Sequence, residues 1–282
     1  MGARDIISNP GLIDELTSIV SRAAAAILAA RAGGLAPRAK ADASPVTVAD
    51  EASEAVILEG LARVLPGVAV VSEEAGAPPE PTGGDFALVD PLDGTRELVA
   101  GRDEFCVNLA IVCGSRARLG IIASPVLGLI WRTTAGGGAE RLRLSPGGSA
   151  GAATERTEIR TRPWPRSGAV AAVSRSHLNA PTQAYLARLP PVECQASGSA
   201  IKLCRVAEGA ADVYPRLATV CEWDVAAGDA IVTAAGGSVT NPNGAPLSYG
   251  SQGFLVQGFV AWGDPSAPGR LGLANAQGDS VR

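Results

Sequence analysis

Apolar residues recur at helical spacing through Leu12, Leu16, Ile19, Val20, Ala23 and Ile27, which predicts an amphipathic helix running to Gly33. Asn9-Pro10 ahead of it supplies a cap and a first-turn proline. A polar loop, PRAKADASP, leads into VTVADEASEAVILEGLARVLPG, a second helix ended by Pro66-Gly67. The pattern then shortens to strand length. VAVVSEE reads as a buried strand stopped by two acids, APPEPTGGD as a loop, FALVDP as another strand and TRELVAG as a short helix. FCVNLAIVC, ARLGIIASPVLGLIWRTT and the segment around IRTR read as further strands, with turns at Gly114-Ser115 and Gly136–Gly138. GGGAERLRLSPGGSAGAATER is poor in apolar residues and reads as a mobile loop.

From Arg162 the elements alternate. GAVAAVSRS is a strand, PTQAYLARL a helix, Ser199–Gly209 helical and DVYPR extended. WDVAAGDAIVTAAGG is an amphipathic helix opened by Asp224 and ended by Gly236-Gly237. GSVTNPNGAPL carries an Asn-Gly hairpin signal, and the Gly- and Pro-rich tail from Gly263 reads as loose. The expected fold is α+β in two lobes: residues 1–161 rich in antiparallel strands, and residues 162–282 mixed α/β.

Composition narrows the function classes. Of 282 residues 46% are hydrophobic and 18% charged, enough for a core and unlike a disordered chain. A net charge of −4 without a basic run argues against nucleic acid as a partner. Cys106, Cys113, Cys194, Cys204 and Cys221 form no C-x-x-C and are odd in number, as expected of reduced thiols in a cytoplasmic protein. The single histidine, His177, rules out a His-rich zinc site. No apolar run of signal-peptide or membrane-spanning type is expected, so neither is membrane insertion.

The chemistry concentrates where apolar runs end in acids. Glu73 and Glu74 end VAVVSEE, Asp90 and Asp93 end FALVDPLD, and Asp224 opens the WDVAAGDA helix. Carboxylates mounted close together resist ionising unless a cation neutralises them. Oxygen-only donors favour Mg²⁺ or Mn²⁺ over zinc. Pro91 offsets Asp90 from Asp93, so both could face one ion, with the Leu92 carbonyl exposed between them. Gly94 allows a close backbone approach, and the amides opening the TRELVAG helix suit an anion. The Thr95 hydroxyl can polarise a water. Together these point to metal-assisted phosphate chemistry. Taken singly, D-x-x-D-G-T is also a turn with solvated acids, and Asp224 and Asp50 are also helix caps. Lys202 is one of only two lysines in the chain, the other being Lys40.

DPLDGT together with WDVAAGDAIVTAAGG resembles the two signatures of the inositol monophosphatase superfamily, Mg²⁺-dependent and lithium-sensitive phosphatases with a layered αβαβα fold. SPVTVADEASE, VVSEE, VDPLDGTREL, DEFCVNLAI, VSRSH, GSAIKLCRVAEGAADVYPR and WDVAAGDA resemble the bacterial 3′(2′),5′-bisphosphate nucleotidases of the CysQ type. The likeness runs in order from about Asn9 to Gly258. It implies a first metal held by Glu73, Asp90 and the Leu92 carbonyl, and a second held by Asp90, Asp93 and Asp224. Glu73 would also touch a third, weaker ion. Thr95 and Asp50 would orient and deprotonate the nucleophilic water, and the Gly94 and Thr95 amides would bind the scissile phosphate. Ser174, His177, Gly198, Ser199, Lys202 and Arg216 would contact the nucleotide and its second phosphate.

The implied substrate is adenosine 3′,5′-bisphosphate, with its sulfated relative a further one. A monomer and a homodimer both fit. Two departures stand out: Ala200 occupies the place of a frequent second serine, and AGAPPEPTGGD replaces an aspartate-rich loop. The rival readings are an inositol-1-phosphate or sugar-bisphosphate phosphatase, and a regulatory protein that kept the fold without the chemistry. A haloacid-dehalogenase-type site would need D-x-D-G-T, one residue shorter than the spacing present.

Overall fold

The first helix, α1 (Pro10–Gly33), starts where the capping signal places it, with the Asn9 side chain accepting from the Leu12 amide at 3.2 Å. The structure is a computed structural model that describes residues 6–39, 45–75 and 84–273. Helix α2 (Val48–Val64) opens on a capping box: Thr47 caps the first turn and Asp50, the third helical residue, reaches back to the Thr47 amide.

Seven strands follow as one sheet in sequential order: β1 (Ala69–Ser72), β2 (Phe86–Asp93), β3 (Cys106–Cys113), β4 (Arg116–Ser124), β5 (Leu129–Thr133), β6 (Ala139–Arg143) and β7 (Glu155–Ile159). Only β1 and β2 run parallel; the remaining neighbours are antiparallel. The short helix α3 (Thr95–Val99) leaves the end of β2.

A second, five-stranded sheet is built from β8 (Ala169–Ser174), β9 (Val192–Ser197), β10 (Val213–Arg216), β11 (Ser238–Thr240) and β12 (Phe259–Trp262), in the order β9-β8-β10-β12-β11. Strand β8 runs parallel to its two neighbours, β9 and β10, and β12 is antiparallel to both β10 and β11. Its helices are α4 (Ala180–Leu186), α5 (Ile201–Ala207), α6 (Ala226–Ala234) and α7 (Ala267–Arg270).

Strand alternation sorts these elements into layers. On β2, Ala87 and Val89 face α1 and α2, joining Leu16, Ile19, Ile57 and Leu61. Phe86 and Leu88 face the other way, where they meet Leu203 of α5, Ile231 of α6, and Val170 and Tyr214 of the second sheet. The far side of that sheet, through Val173, Val213 and Trp262, packs on Tyr185 and Ala267. The order is therefore helix, sheet, helix, sheet, helix, as the resemblance implies. The inner helical layer puts α6 between the sheets, and so brings Asp224 to the end of β2.

Four local expectations are corrected. The segment read as a mobile loop contains β6, a turn of 3-10 helix at Ala150–Ala152 and the start of β7, and buries Leu142 and Leu144. Its few apolar residues are placed to pair with β5 and to cover α1, so low apolar content did not mean mobility. VAVVSEE is an edge strand in which Ala69 is exposed and only Val71 and Ser72 are buried. Asp224 closes a 3-10 turn (Glu222–Asp224) ahead of α6. The tail remains packed through Leu273, with Ala267 fully buried in α7; the rest of that expectation, like most of AGAPPEPTGGD, lies outside the described residues.

Candidate active site

The end of β2 is where the chain has to stop being a strand. Its pairing with β3 slips between Asp90 and Asp93, as Pro91, which lacks an amide hydrogen, interrupts the ladder. Gly94 then takes φ 100°, a left-handed conformation that suits glycine. A Cβ there would stand 2.9 Å from the Glu104 carbonyl oxygen. This break faces both carboxylates, the Leu92 carbonyl and the start of α3 into one cavity of about 340 Å³. Glu73, Asp90, Leu92, Asp93, Gly94, Thr95 and Asp224 line it, and so do Ser174, His177, Gly198, Ser199, Lys202 and Arg216. Segments far apart in sequence thus converge on one space.

Asp50 is the predicted site residue that does not line the cavity. It is buried behind it, and both readings of it hold at once. One oxygen, Oδ2, accepts from the Thr47 amide and hydroxyl, each at 2.7 Å, as a helix cap. The other, Oδ1, is 2.9 Å from Thr95 Oγ1, which is also 3.1 Å from the Leu92 carbonyl. A hydroxyl has one proton and two lone pairs. Donating to Asp50 leaves Thr95 able to accept a hydrogen bond from a water in the cavity.

The acids repel one another. Burial raises the Asp90 carboxyl well above the usual range, and Glu73, Asp93 and Asp224 raise it further. Asp224 is raised well above the usual range by burial, Asp93 and Glu73. Burial also raises Asp93, but Lys202 and the Ala200 amide oppose the shift. Such a group of closely set carboxyls, Asp90 buried and the others half-buried, is held charged most readily by a cation, and its all-oxygen chemistry fits a hard divalent ion. The Leu92 carbonyl adds a neutral oxygen of the same kind. Among the described residues no three acidic, His or Cys side chains stand as a finished coordination shell, so an ion would have to draw these groups together.

The rest of the cavity carries the cations Arg96, Lys202 and Arg216 beside one further acid, Glu97. Lys202 is 3% exposed. It donates to the carbonyls of Ser197 (3.2 Å) and Ser199 (2.5 Å), and lies 5.2 Å from the Tyr214 ring centre. Burial pulls its ammonium down to about 8, against the pull of Asp93. Arg216 faces the site and donates to the His177 carbonyl at 2.9 Å. Burial, Arg216 and Arg96 hold the His177 imidazole below its ordinary range. Ser174 Oγ accepts from the His177 amide at 3.2 Å. Ala200, where the resemblance expects serine, is buried and offers its amide to Asp93.

Sequence reading missed Arg96, Glu97 and Tyr214, which also line the cavity. The first two directly follow DGT, so adjacency to the motif was the available signal; Tyr214 carried none.

The profile described as the inositol monophosphatase family matches residues 12–267. The chain is 36% identical over 228 residues to the 3′(2′),5′-bisphosphate nucleotidase CysQ of Escherichia coli K12, covering 78% of this chain and 86% of that one. It is 30% identical over 235 residues to the CysQ nucleotidase of Buchnera aphidicola, with 79% and 82% covered. The crystal structure of CysQ from Bacteroides thetaiotaomicron superposes with a TM-score of 0.74 at 31% identity, covering 90% of this chain and 97% of that one. Fold, motif order and the breadth of these matches agree: the chain belongs to the inositol monophosphatase family.

Proposed function

We propose that the protein is a Mg²⁺-dependent phosphomonoesterase that removes the 3′-phosphate of adenosine 3′,5′-bisphosphate, giving AMP and inorganic phosphate. One observation carries the choice of substrate: beside the cluster of acids, the same cavity is lined by three cations, Arg96, Lys202 and Arg216. Among the described residues Arg96, Lys202 and Arg216 form no salt bridge. One phosphate answers the acids and their ions; the cations call for a second anion on the same molecule. The names of the relatives above agree with that reading, and the sulfated relative of the bisphosphate carries matching charges.

Glu73, Asp90, the Leu92 carbonyl, Asp93 and Asp224 would hold the ions, Glu73 serving a third and weaker one as well. Bound Mg²⁺, or Mn²⁺ in its place, supplies charge neutralisation and Lewis acidity at the phosphate, and Li⁺ in one position would inhibit. Thr95, its hydroxyl proton directed to Asp50, orients the water for in-line attack, and the pair takes up the proton the water loses. The Gly94 and Thr95 amides hold the phosphoryl oxygens. The bond from phosphorus to O3′ breaks, and no covalent enzyme intermediate forms. Ser174, His177, Gly198, Ser199, Lys202 and Arg216 hold the nucleoside and its 5′-phosphate. In this reading residues 1–161 supply most of the ion site and residues 162–282 complete it and select the substrate. The absence of a disulfide among the five cysteines supports a cytoplasmic reading; no helix among the described residues is long and apolar enough to cross a membrane.

Arg216→Ala and Lys202→Met test the division of labour. Each should raise KM for adenosine 3′,5′-bisphosphate more than for adenosine 3′-monophosphate, by about tenfold for loss of one charged contact. Equal losses on both substrates would show that these cations do not read the second phosphate.

A further inference from the structure

The wall of the cavity is closed by a contact between the two sheets that the roles above leave unused. Glu104 lies just before β3 and Arg175 just after β8. Arg175 Nε donates to Glu104 Oε2 at 2.9 Å and its Nη2 to Oε1 at 2.7 Å. The same Nη2 donates to the Ala196 carbonyl at 2.8 Å, and the Gly198 amide donates to Glu104 Oε2 at 2.8 Å. A forked guanidinium–carboxylate pair fixes direction as well as distance.

What this pair grips is the turn at residues 197–200. Ser199 has φ 50°, in the left-handed region that side chains rarely adopt, and such backbone persists only where its surroundings over-determine it. The turn is also pressed onto the segment carrying Glu104. A Cβ on Gly198 would stand 2.7 Å from the Glu104 carbonyl oxygen and 3.0 Å from Glu97 Cγ. The turn's polar groups serve the site: the Ala200 amide goes to Asp93, and the Ser197 and Ser199 carbonyls hold Lys202.

We propose that Glu104, clamped by Arg175, is a positioning residue that holds the 197–200 turn against Asp93 and thereby sets the affinity of the cavity for its nucleotide. The identity of the ligand rests on the nucleotidase reading; the grip on the turn does not. Glu104 does not line the cavity, and Asp93 keeps its own place through its pairing with Cys106 on β3. Loosening the turn therefore weakens binding far more than it slows chemistry.

The test compares wild type with Glu104→Ala, Glu104→Gln, Arg175→Lys and Arg175→Ala. Steady-state kinetics on adenosine 3′,5′-bisphosphate with Mg²⁺ are read beside amide hydrogen exchange of residues 196–202 without substrate. Glu104→Ala should raise KM about tenfold with kcat within about threefold, and speed exchange of the Gly198 and Ala200 amides about tenfold. Arg175→Lys should fall between wild type and Arg175→Ala, since lysine restores one contact without the fork. Wild-type KM with unchanged exchange, or a fall in kcat at constant KM, overturns the proposal. Should Glu104→Ala not fold, Glu104→Gln and Arg175→Lys carry the same two readouts, and wild-type values in both overturn it equally. A wild-type protein that leaves the bisphosphate uncleaved would refute the nucleotidase reading, and the exchange of the Glu104 variants would then decide the grip by itself.

Discussion

In Asp50→Asn the new amide has one orientation that fits. Thr47 donates twice to the Oδ2 position, from its amide and its hydroxyl, so an oxygen must stay there. The amide nitrogen is then forced to the Oδ1 position, 2.9 Å from Thr95 Oγ1. It donates where the carboxylate accepted. Thr95 must turn its own proton toward the Leu92 carbonyl or the cavity, and the path for the water's proton to Asp50 is gone.

The fold loses little, because the cap survives with neutral bonds in place of charged ones; about 1 kcal/mol is expected. The reaction loses a general base, which accounts for about 10²- to 10⁴-fold, or roughly 3–5 kcal/mol of barrier. Urea unfolding and kcat on the same preparation separate the two. Asp50→Ala should cost more stability, about 2 kcal/mol, by leaving the buried Thr47 donors unmet. An Asp50→Asn protein with kcat within threefold of wild type would refute the coupling of Thr95 to Asp50. Loss of folding together with activity would reduce Asp50 to a cap.

Other consequences follow from the packing and the charges. Under the proposed reading Asp93→Asn should abolish turnover with the fold retained, because an acid assigned to the ions is lost while the Ala200 amide keeps an acceptor; near-normal turnover, or unfolding, would contradict the assignment. Burial raises the Asp229 carboxyl to about 6 although Tyr249 and Thr233 donate to it. The folded state thus holds this proton more tightly than the unfolded chain. The stability held by this proton is fully present below about pH 3.8 and is lost as pH rises through about 6, and about 2 kcal/mol of that loss falls between pH 4.5 and 7.5, a difference in urea unfolding that should be diminished in Asp229→Asn. A Cβ on Gly120 would lie 2.1 Å from the Ala227 carbonyl oxygen, so Gly120→Ala must push α6 off the first sheet. A loss of about 1–3 kcal/mol in thermal unfolding, with weaker Mg²⁺ binding through displaced Asp224, is the expected result.

The sequence was legible where one signal had one meaning. The cap at Asn9, the capping place of Asp50, the break at Pro91 and Gly94, and the acids ending FALVDPLD stand as read. It misled where composition stood in for placement. The stretch around Leu142 and Leu144 has few apolar residues, yet each covers the core. Strand β9 is mostly exposed along its length, so it carried no alternation to read. The grip of Arg175 on Glu104 joins residues 71 positions apart, and nothing local announces it.

The most direct test of the account is phosphate release with Mg²⁺ from adenosine 3′,5′-bisphosphate beside inositol 1-phosphate, at equal concentration. Faster release from the nucleotide is the predicted result, and chelation of the metal should stop it. Faster release from inositol 1-phosphate would leave the acid cluster in its role and contradict the assignment of Lys202, His177 and Arg216 to a second phosphate.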